Sequence, residues 1–239
     1  GLRISGECSM NTTAWPCATL LACTWNPALV QQVGQAGAEE VKENNLAVWL
    51  TPAVNIHRNP LCGRNFEYYS EDPLIAGKMG AAMVKGIQSQ HIAASVKHFA
   101  ANNKETNRKH SDSRVSERAL REIYLKGFEI IVKEAQPWTI MSSYNLVNGT
   151  YANENAHLLQ DILRRDWGFD GAVVTDWGGS NDHALGVKNG STLEMPFPGD
   201  DSVRELMKAV ESGKISEHDV DARLEELLEL VLDTKAAVE

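Results

Sequence analysis

The residue best suited to chemistry is an aspartate that follows a short apolar run. The run AVVT at 172–175 predicts a strand buried on both faces, and the two glycines after Trp177 predict a sharp turn. Asp176 therefore lies at the carboxyl end of a strand, where catalytic groups collect in sheets of parallel strands. A carboxylate there could take part in catalysis, or it could cap the next helix. This segment alone favours neither interpretation.

Charged side chains follow two other apolar runs. Lys97 and His98 are adjacent at the end of one run, while Arg64 and Glu67 lie in a polar segment after another. Neighbours on a regular strand face opposite sides, so Lys97 and His98 share one site only if the strand bends at its end. Arg64 and Glu67 could simply pair with each other, as loop ions commonly do.

These residues belong to a chain in which short apolar runs alternate with amphipathic helical patterns. We predict strands at Ala18 to Thr24, Ala47 to Ile56, Ile92 to Phe99, Thr139 to Tyr144, Ala172 to Asp176 and, more weakly, Ser191 to Met195. Helix starts are indicated at Asn26, at the acidic segment before Pro73 and at Ser116.

This alternation predicts an α/β fold with a parallel sheet. Its form would be a (β/α) TIM-like barrel that is irregular or incomplete, with about six βα units. We expect residues 1–239 to form a single barrel domain. An open doubly wound sheet is the alternative, but no GxGxxG or GxxxxGK[ST] pattern follows a predicted strand.

Composition narrows the range of partners. The chain has 239 residues, 43% hydrophobic, and a formal net charge of −9, which argues against nucleic acid or an anionic membrane as a partner. No apolar run approaches the roughly 20 residues of a membrane span. The four cysteines lack zinc-type spacing, and no nucleotide motif is present, so we expect neither metal nor cofactor. The compartment stays open because the chain starts at Gly1 without a methionine.

The segments after the predicted strands are unusually polar. They read NIHRNPLCGRNFEYYSEDP, KHFAANNKETNRKHSDSR, SSYNLVNGTYANEN and DWGGSNDH. Charged, amide, hydroxyl and aromatic groups together can hydrogen-bond a polyol and stack on its ring, which favours a sugar ligand. Trp177 could be a platform under a sugar ring or a core aromatic residue.

Six ordered motifs carry a family resemblance. GRNFEYYSEDP, VKHFAANNKETNR, MSSYNLVNG, LRRDWGFDG, VVTDWGG and LEMP resemble the barrel domain of the family 3 glycoside hydrolases, in the β-glucosidase branch. The resemblance spans nearly the whole chain. It implies a retaining hydrolase that releases non-reducing terminal β-D-glucosyl, or related, residues from a β-glucoside or oligosaccharide.

The resemblance also implies roles for individual residues. Asp176 corresponds to the family nucleophile, which forms a glycosyl-enzyme by double displacement. Arg64, Lys97 and His98 correspond to basic residues that bind the hydroxyls of the terminal sugar. A further two aromatic residues belong to the site: Tyr144 near the nucleophile and Trp177 lining the subsite.

Two departures from the family pattern concern missing parts. The family places a sugar-binding aspartate in a segment like DGPHGLR, and this chain begins at GLR, so we expect truncation at the N-terminus. The β-glucosidase branch takes its acid/base glutamate from an α/β sandwich domain, for which the sequence has no room. The strand-end carboxylates Glu67, Glu105, Asp182 and Glu194 match no family acid/base position. We therefore expect the acid/base group, and the sandwich domain as a partner, to come from outside this chain.

Three alternatives remain. A β-N-acetylhexosaminidase of the same family would use His110, although the loop lacks that branch's glycine-rich stretch. A Schiff-base aldolase would use Lys97 on a barrel strand. The third alternative is a non-catalytic sugar-binding barrel fragment.

Overall fold

A parallel sheet forms the centre of the molecule, which we describe from a computed structural model. The structure describes the backbone of Arg3–Ile4, Glu7–Cys8 and residues 12–238, and the side chains of residues 12–237. The central sheet has the order β3-β4-β6-β9, and its strands are β3 (Val48–Trp49), β4 (Ala93–Phe99), β6 (Thr139–Ser142) and β9 (Ala172–Thr175). All three pairings between these strands are parallel, so their carboxyl ends meet at one edge.

Two smaller sheets accompany the central one. β1 (Arg3–Ile4) and β2 (Glu7–Cys8) form an antiparallel pair. The other small sheet contains β5 (Asp112–Ser113), β7 (Leu146–Val147) and β8 (Thr150–Tyr151). In that sheet β5 and β7 run parallel, and both follow longer strands of the central sheet in the chain.

Helices surround the sheet. They are α1 (Ala18–Ala22), α2 (Pro27–Glu43), α3 (Pro73–Gln88), α4 (Glu117–Ala119), α5 (Lys126–Ala135), α6 (His183–Asn189), α7 (Asp200–Glu211) and α8 (Glu217–Val238). Two π-helical segments lie at Leu120–Tyr124 and His157–Asp166, and 3₁₀ turns lie at Asn65–Glu67 and Ala152–Glu154. The predicted helix starts are confirmed, since the side chains of Asn26, Asp72 and Ser116 accept hydrogen bonds from backbone N–H groups of the first turn.

The core lies between the sheet and these helices. Val96, Ile140 and Val173 on adjacent strands are fully buried, as the apolar runs predict. Helices α2 and α3 approach each other closely at two glycines. A Cβ at Gly34 would lie 2.7 Å from the carbonyl oxygen of Met83, and one at Gly86 would lie 2.1 Å from that of Gln31. Only glycine fits at this helix crossing.

One predicted strand is wrong. Residues 18–24 contain the helix α1, because Ala and Leu favour helix and the segment lacks a strand partner. The Thr19 hydroxyl donates to the carbonyl oxygens of Asn65 and Tyr68, which fixes α1 against the 3₁₀ turn.

Two further strands are shorter than predicted. Between residues 47 and 56 only β3 and an isolated bridge from Ala53 to Lys97 form, since Pro52 lacks the N–H that a ladder needs. Between 191 and 195 the pairing is a single bridge from Leu193 to Val174. The α/β class with a parallel sheet is nevertheless confirmed, and its shape is that of an incomplete barrel.

Candidate active site

Asp176 follows β9 directly and is held by main-chain contacts. Its backbone N–H donates to the Ser142 carbonyl at 3.3 Å, and its Oδ1 accepts the N–H of Trp177 at 2.8 Å. The other carboxylate oxygen, Oδ2, is buried and accepts no hydrogen bond from the described residues. One oxygen is therefore anchored while the other faces the site.

The turn after Asp176 depends on two glycines. Gly178 has a φ of +72°, which favours glycine, and its N–H donates to the Met195 carbonyl at 2.8 Å. A Cβ at Gly179 would lie 2.9 Å from the Asp176 carbonyl oxygen. The glycines that the sequence placed after Trp177 thus fold the chain back against the nucleophile candidate.

Two basic side chains face the free oxygen of Asp176. Arg64 Nη1 lies 3.9 Å from Asp176 Oδ2, and His98 Nε2 lies 3.8 Å from the same atom. Arg64 precedes the 3₁₀ turn Asn65–Glu67, whereas His98 lies near the end of β4. A loop after β3 and the end of β4 therefore bring these two groups to the carboxylate that follows β9.

Lys97 reaches the same site through a carboxylate. Its Nζ lies 3.4 Å from Glu67 Oε2, and Arg64 Nε donates to Glu67 Oε1. The pairing of Arg64 with Glu67 is thus real, but Arg64 also faces Asp176 with another nitrogen. Burial lowers the pKa of Lys97, while the charge of Glu67 opposes that shift.

His98 is the most enclosed polar residue of the site. It is 1% exposed, and its main chain forms two hydrogen bonds with the Asn55 side chain, at 2.8 and 3.0 Å. Burial, helped by the positive charges of Lys97 and Arg64, lowers the pKa of His98 well below its usual range, so the imidazole is neutral. The pairing of β4 with β6 shifts register between Val96 and Phe99, which places both Lys97 and His98 near Asp176.

Two aromatic residues complete the surroundings of Asp176. Tyr144 Oη donates to the Trp177 carbonyl at 2.8 Å, and burial, with the nearby Asp176 charge, raises the pKa of Tyr144 to about 12. Trp177 is 41% exposed, so it is not a core residue. The structure therefore brings together Asp176, Arg64, Lys97, His98, Tyr144 and Trp177, all of the residues that the sequence nominated.

Sequence reasoning missed a cation above Tyr144. The guanidinium carbon of Arg108 lies 4.6 Å from the centroid of the Tyr144 ring, within cation–π range. Arg108 lies well beyond the end of β4 in a polar loop, so strand-end position gave no signal for it. Its presence in the segment KETNR, among the motif residues, was the only available indication.

The other strand-end carboxylates have partners of their own. Glu105 pairs with Arg108 at 2.8 Å, and Glu194 pairs with His183 at 2.9 Å. Asp182 caps α6 by accepting the N–H of Leu185, and it also pairs with Lys214. The cap of the helix after β9 is therefore Asp182, and the capping interpretation of Asp176 is wrong.

Among the described residues there is neither a metal-binding cluster nor a membrane-spanning helix. No three His, Cys, Asp or Glu residues within the described part of the chain are grouped so as to hold a metal ion. Among the helices described, none has the length and apolarity needed to cross a membrane.

Comparison with known proteins decides the family. The model of the glycosyl hydrolase family 3 N-terminal domain matches residues 4–230. The chain belongs to this family. The resemblance seen in the sequence motifs is thereby confirmed.

Relatives of this family 3 domain are longer proteins. Beta-glucosidase A of Butyrivibrio fibrisolvens is 56% identical over 95% of the chain and 27% of its own length. An exo-α-(1→6)-L-arabinopyranosidase of Bifidobacterium longum is 48% identical over 96% of the chain and 30% of its own length. The chain thus spans less than a third of each of these two relatives.

Solved structures share the fold of the domain. The family 3 beta-glucosidase of Bifidobacterium adolescentis has a TM-score of 0.95 at 46% identity and covers all of the chain, which spans 35% of that structure. Beta-glucosidase 3B from Thermotoga neapolitana in complex with glucose has a TM-score of 0.93 at 47% identity. The match covers 99% of this chain and 34% of the length of that structure. These likenesses confirm the TIM-like barrel class.

Proposed function

We propose that this chain is the nucleophile-bearing barrel of a retaining β-glucosidase that releases non-reducing terminal β-D-glucosyl residues. The observation that carries the proposal is the convergence of Arg64 and His98 on Oδ2 of Asp176, which accepts no hydrogen bond from the described residues. Positive and N–H groups beside an anionic nucleophile stabilise it and leave donors for sugar hydroxyls. The names of the relatives supply the glucosyl specificity.

Asp176 would attack the anomeric carbon through Oδ2, forming a glycosyl-enzyme as the aglycone leaves. Water then hydrolyses that ester with a second inversion, so the configuration is retained. Lys97 and His98 would hold hydroxyls of the terminal sugar, and Trp177, half exposed above the site, would stack on its ring.

The proton donor is proposed to lie outside this chain, in a sandwich domain of the same enzyme. Retention needs a second carboxyl about 5 to 5.5 Å from the nucleophile. Glu67 is paired with Arg64 and Lys97, and Glu105, Asp182 and Glu194 are each paired with a basic side chain. Each of these carboxylates is already engaged with a side chain of this chain, so a separate polypeptide segment is the better source of the proton donor.

The structure favours none of the alternative activities. His110, which the hexosaminidase alternative requires, is exposed in the loop after β4. Lys97, which the aldolase alternative requires, is engaged with Glu67. The labelling experiment below distinguishes a catalytic barrel from one that binds sugar without turnover.

Labelling by an activated 2-fluoro-β-D-glucoside tests the proposal. The substrate is applied to the longer polypeptide that contains this chain with its sandwich domain, and the label is located by peptide mapping. We expect it on Asp176, and we expect Asp176→Asn to abolish both labelling and turnover.

The matched control is Asp182→Asn, because asparagine also caps helices well. This variant should keep its label at Asp176. A label on Glu67 or Glu194 would show that another carboxylate is the nucleophile, and binding of glucose without any label would favour the non-catalytic barrel.

A second specificity comes from one relative. The arabinopyranosidase of Bifidobacterium longum is 48% identical to this chain, a value between those of beta-glucosidase A at 56% and thermostable beta-glucosidase B at 46%. Comparing kcat/KM on aryl β-D-glucoside and aryl α-L-arabinopyranoside decides between the two sugars, and a higher value on the arabinopyranoside would replace the glucosyl assignment.

A further inference from the structure

A fully buried tyrosine lies behind His98. The Oη atom of Tyr68 is 3.3 Å from His98 Nδ1, and the two rings meet edge to face with centroids 6.2 Å apart. Tyr68 has no exposed surface, and burial raises its pKa, so the phenol keeps its proton. Tyr68 lies in the middle of the motif GRNFEYYSEDP, but no role was predicted for it.

The contacts of Tyr68 Oη allow two proton arrangements. Asn102 supplies a side-chain donor, Nδ2, and a main-chain acceptor, its peptide carbonyl oxygen. Each of these atoms lies 3.5 Å from Oη. In the first arrangement Oη donates to His98 Nδ1 and accepts from Asn102 Nδ2. In the second, Oη donates to the main-chain carbonyl of Asn102 and accepts a hydrogen bond from the Nδ1–H group of His98.

The opposite edge of the imidazole decides between them. His98 Nε2 lies 3.8 Å from Asp176 Oδ2, a carboxylate oxygen that lacks a hydrogen bond from the described residues. In the second arrangement the Nε2 lone pair of a neutral ring would face this anionic oxygen, which is repulsive. In the first arrangement Nε2 carries the proton and its N–H dipole favours the carboxylate. The 3.3 Å contact to Nδ1 is also shorter than the contact to the Asn102 carbonyl.

We propose that Tyr68 is a positioning residue that holds neutral His98 in one tautomer. Its hydroxyl donates to Nδ1, so the ring proton resides on Nε2, directed at Asp176 and at the space where a ligand would lie. That this N–H donates a hydrogen bond to a sugar hydroxyl rests on the proposed function, whereas the assignment of the tautomer does not.

Two features make the arrangement rigid. Asn55 fixes the main chain of His98 through two hydrogen bonds, so the ring pivots only about its side-chain bonds. Tyr68 then fixes the ring from behind. A donor held in place before the ligand arrives loses little entropy on binding.

Nitrogen NMR on the ¹⁵N-histidine-labelled chain tests the tautomer directly. The two ring nitrogens resonate at different frequencies when protonated and unprotonated, and the His98→Gln variant identifies which of the 7 histidines gives each signal. We expect Nε2 of His98 to be protonated and Nδ1 to be an unprotonated, hydrogen-bonded nitrogen. A proton on Nδ1 in the unaltered chain would overturn the proposal.

Two variants separate the hydroxyl of Tyr68 from a general packing effect. Tyr68→Phe keeps the ring, and we expect it to move the His98 Nδ1 signal, either to a free nitrogen or to a mixture of tautomers. Tyr69→Phe removes a hydroxyl from the adjacent buried tyrosine, which forms no hydrogen bond with His98, and should leave both ring signals in place. Equal spectra for Tyr68→Phe and the unaltered chain would show that Tyr68 does not set the tautomer.

Kinetics of the longer polypeptide connect the tautomer to sugar binding. Tyr68→Phe should lower kcat/KM for a β-glucoside roughly tenfold, the usual effect of one misdirected hydrogen bond, and Tyr69→Phe should not. If the tautomer changes and kcat/KM does not, the positioning role in catalysis is wrong. Should no glucoside be turned over by any variant, the proposed function fails while the NMR result stands.

Discussion

At the scale of single residues, the two oxygens of Asp176 have different surroundings. Oδ1 is fixed by the Trp177 N–H, while Oδ2 faces two cationic or N–H groups without a hydrogen bond. A carboxylate anchored through one oxygen keeps its orientation and leaves the other oxygen reactive. This asymmetry concerns a few contacts, so single substitutions should reveal it.

Removing the hydroxyl of Tyr144 should loosen the support of Asp176. Tyr144→Phe loses the 2.8 Å bond to the Trp177 carbonyl, next to Asp176, but keeps the ring that Arg108 covers. We expect kcat/KM of the longer polypeptide on a β-glucoside to fall roughly fivefold to tenfold, with little change in thermal stability. Tyr151→Phe, on the small sheet, serves as the control and should keep the original rate.

The buried carboxylate of Glu154 should make stability depend on pH. Its Oε1 accepts the N–H groups of Asn181 and Asp182, and burial raises its pKa. The folded state then holds this proton more tightly than the unfolded state, so stability falls as pH rises from about 4 through the raised pKa.

Glu154→Gln should remove that dependence, since glutamine can still accept both bonds. Urea unfolding at a series of pH values should show the variant gaining stability relative to the unaltered chain as pH rises. A difference between the two proteins that stays constant with pH would contradict the assignment.

At the scale of the elements, the secondary structure of a segment was predictable where its own residue pattern reflected the surroundings into which it packs. Strands β4, β6 and β9 are rich in apolar or β-branched residues and are buried on both faces, so their patterns were clear. The run at 18–24 is equally apolar, but its contacts are with a 3₁₀ turn, which no local pattern reveals. Positions at or after strand ends predicted the site residues. Arg108 and Tyr68 could not be predicted in this way, because their contacts depend on loop conformation and on packing between distant segments.

The crossing of α2 and α3 should be intolerant of side chains. Gly86→Ala would place a methyl group 2.1 Å from the Gln31 carbonyl oxygen, and backbone cannot move aside as a flexible side chain can. We expect a loss of about 1–3 kcal/mol in the free energy of unfolding, measured by urea denaturation. Lys85→Ala, at the neighbouring exposed position, should change it by less than about 0.5 kcal/mol.

At the scale of the whole molecule, the barrel brings together the proposed nucleophile and sugar-binding groups, while the strand-end carboxylates Glu67, Glu105, Asp182 and Glu194 are each paired with a basic side chain. The chain spans about a third or less of the relatives and structures it matches. If the proton donor lies outside this chain, formation and hydrolysis of the glycosyl-enzyme should depend on it unequally. Only the departure of a poor leaving group needs a proton.

The dependence of the rate on the leaving group should reveal whether the proton donor lies outside this chain. On its own, this chain should be nearly inert on a glucose disaccharide, with a rate about 10² to 10⁴ below that of the longer polypeptide. With an activated aryl glucoside the gap should narrow. A similar gap for both substrates would mean that the chain alone lacks sugar binding, and full activity on the disaccharide would place the acid within the chain.

The turn that carries Asp176 is secured almost wholly by peptide groups of neighbouring segments. Gly178 donates to the Met195 carbonyl, and the Asp176 N–H donates to the Ser142 carbonyl, so the identity of side chain 195 contributes nothing to these bonds. In evolutionary terms, the side chains of Met195 and the exposed Phe197 can change while these main-chain bonds keep the Asp176 carboxylate in place. Descendants of one ancestral barrel can therefore diverge at these two positions without displacing Asp176, and a library randomised at 195 and 197 should yield folded members.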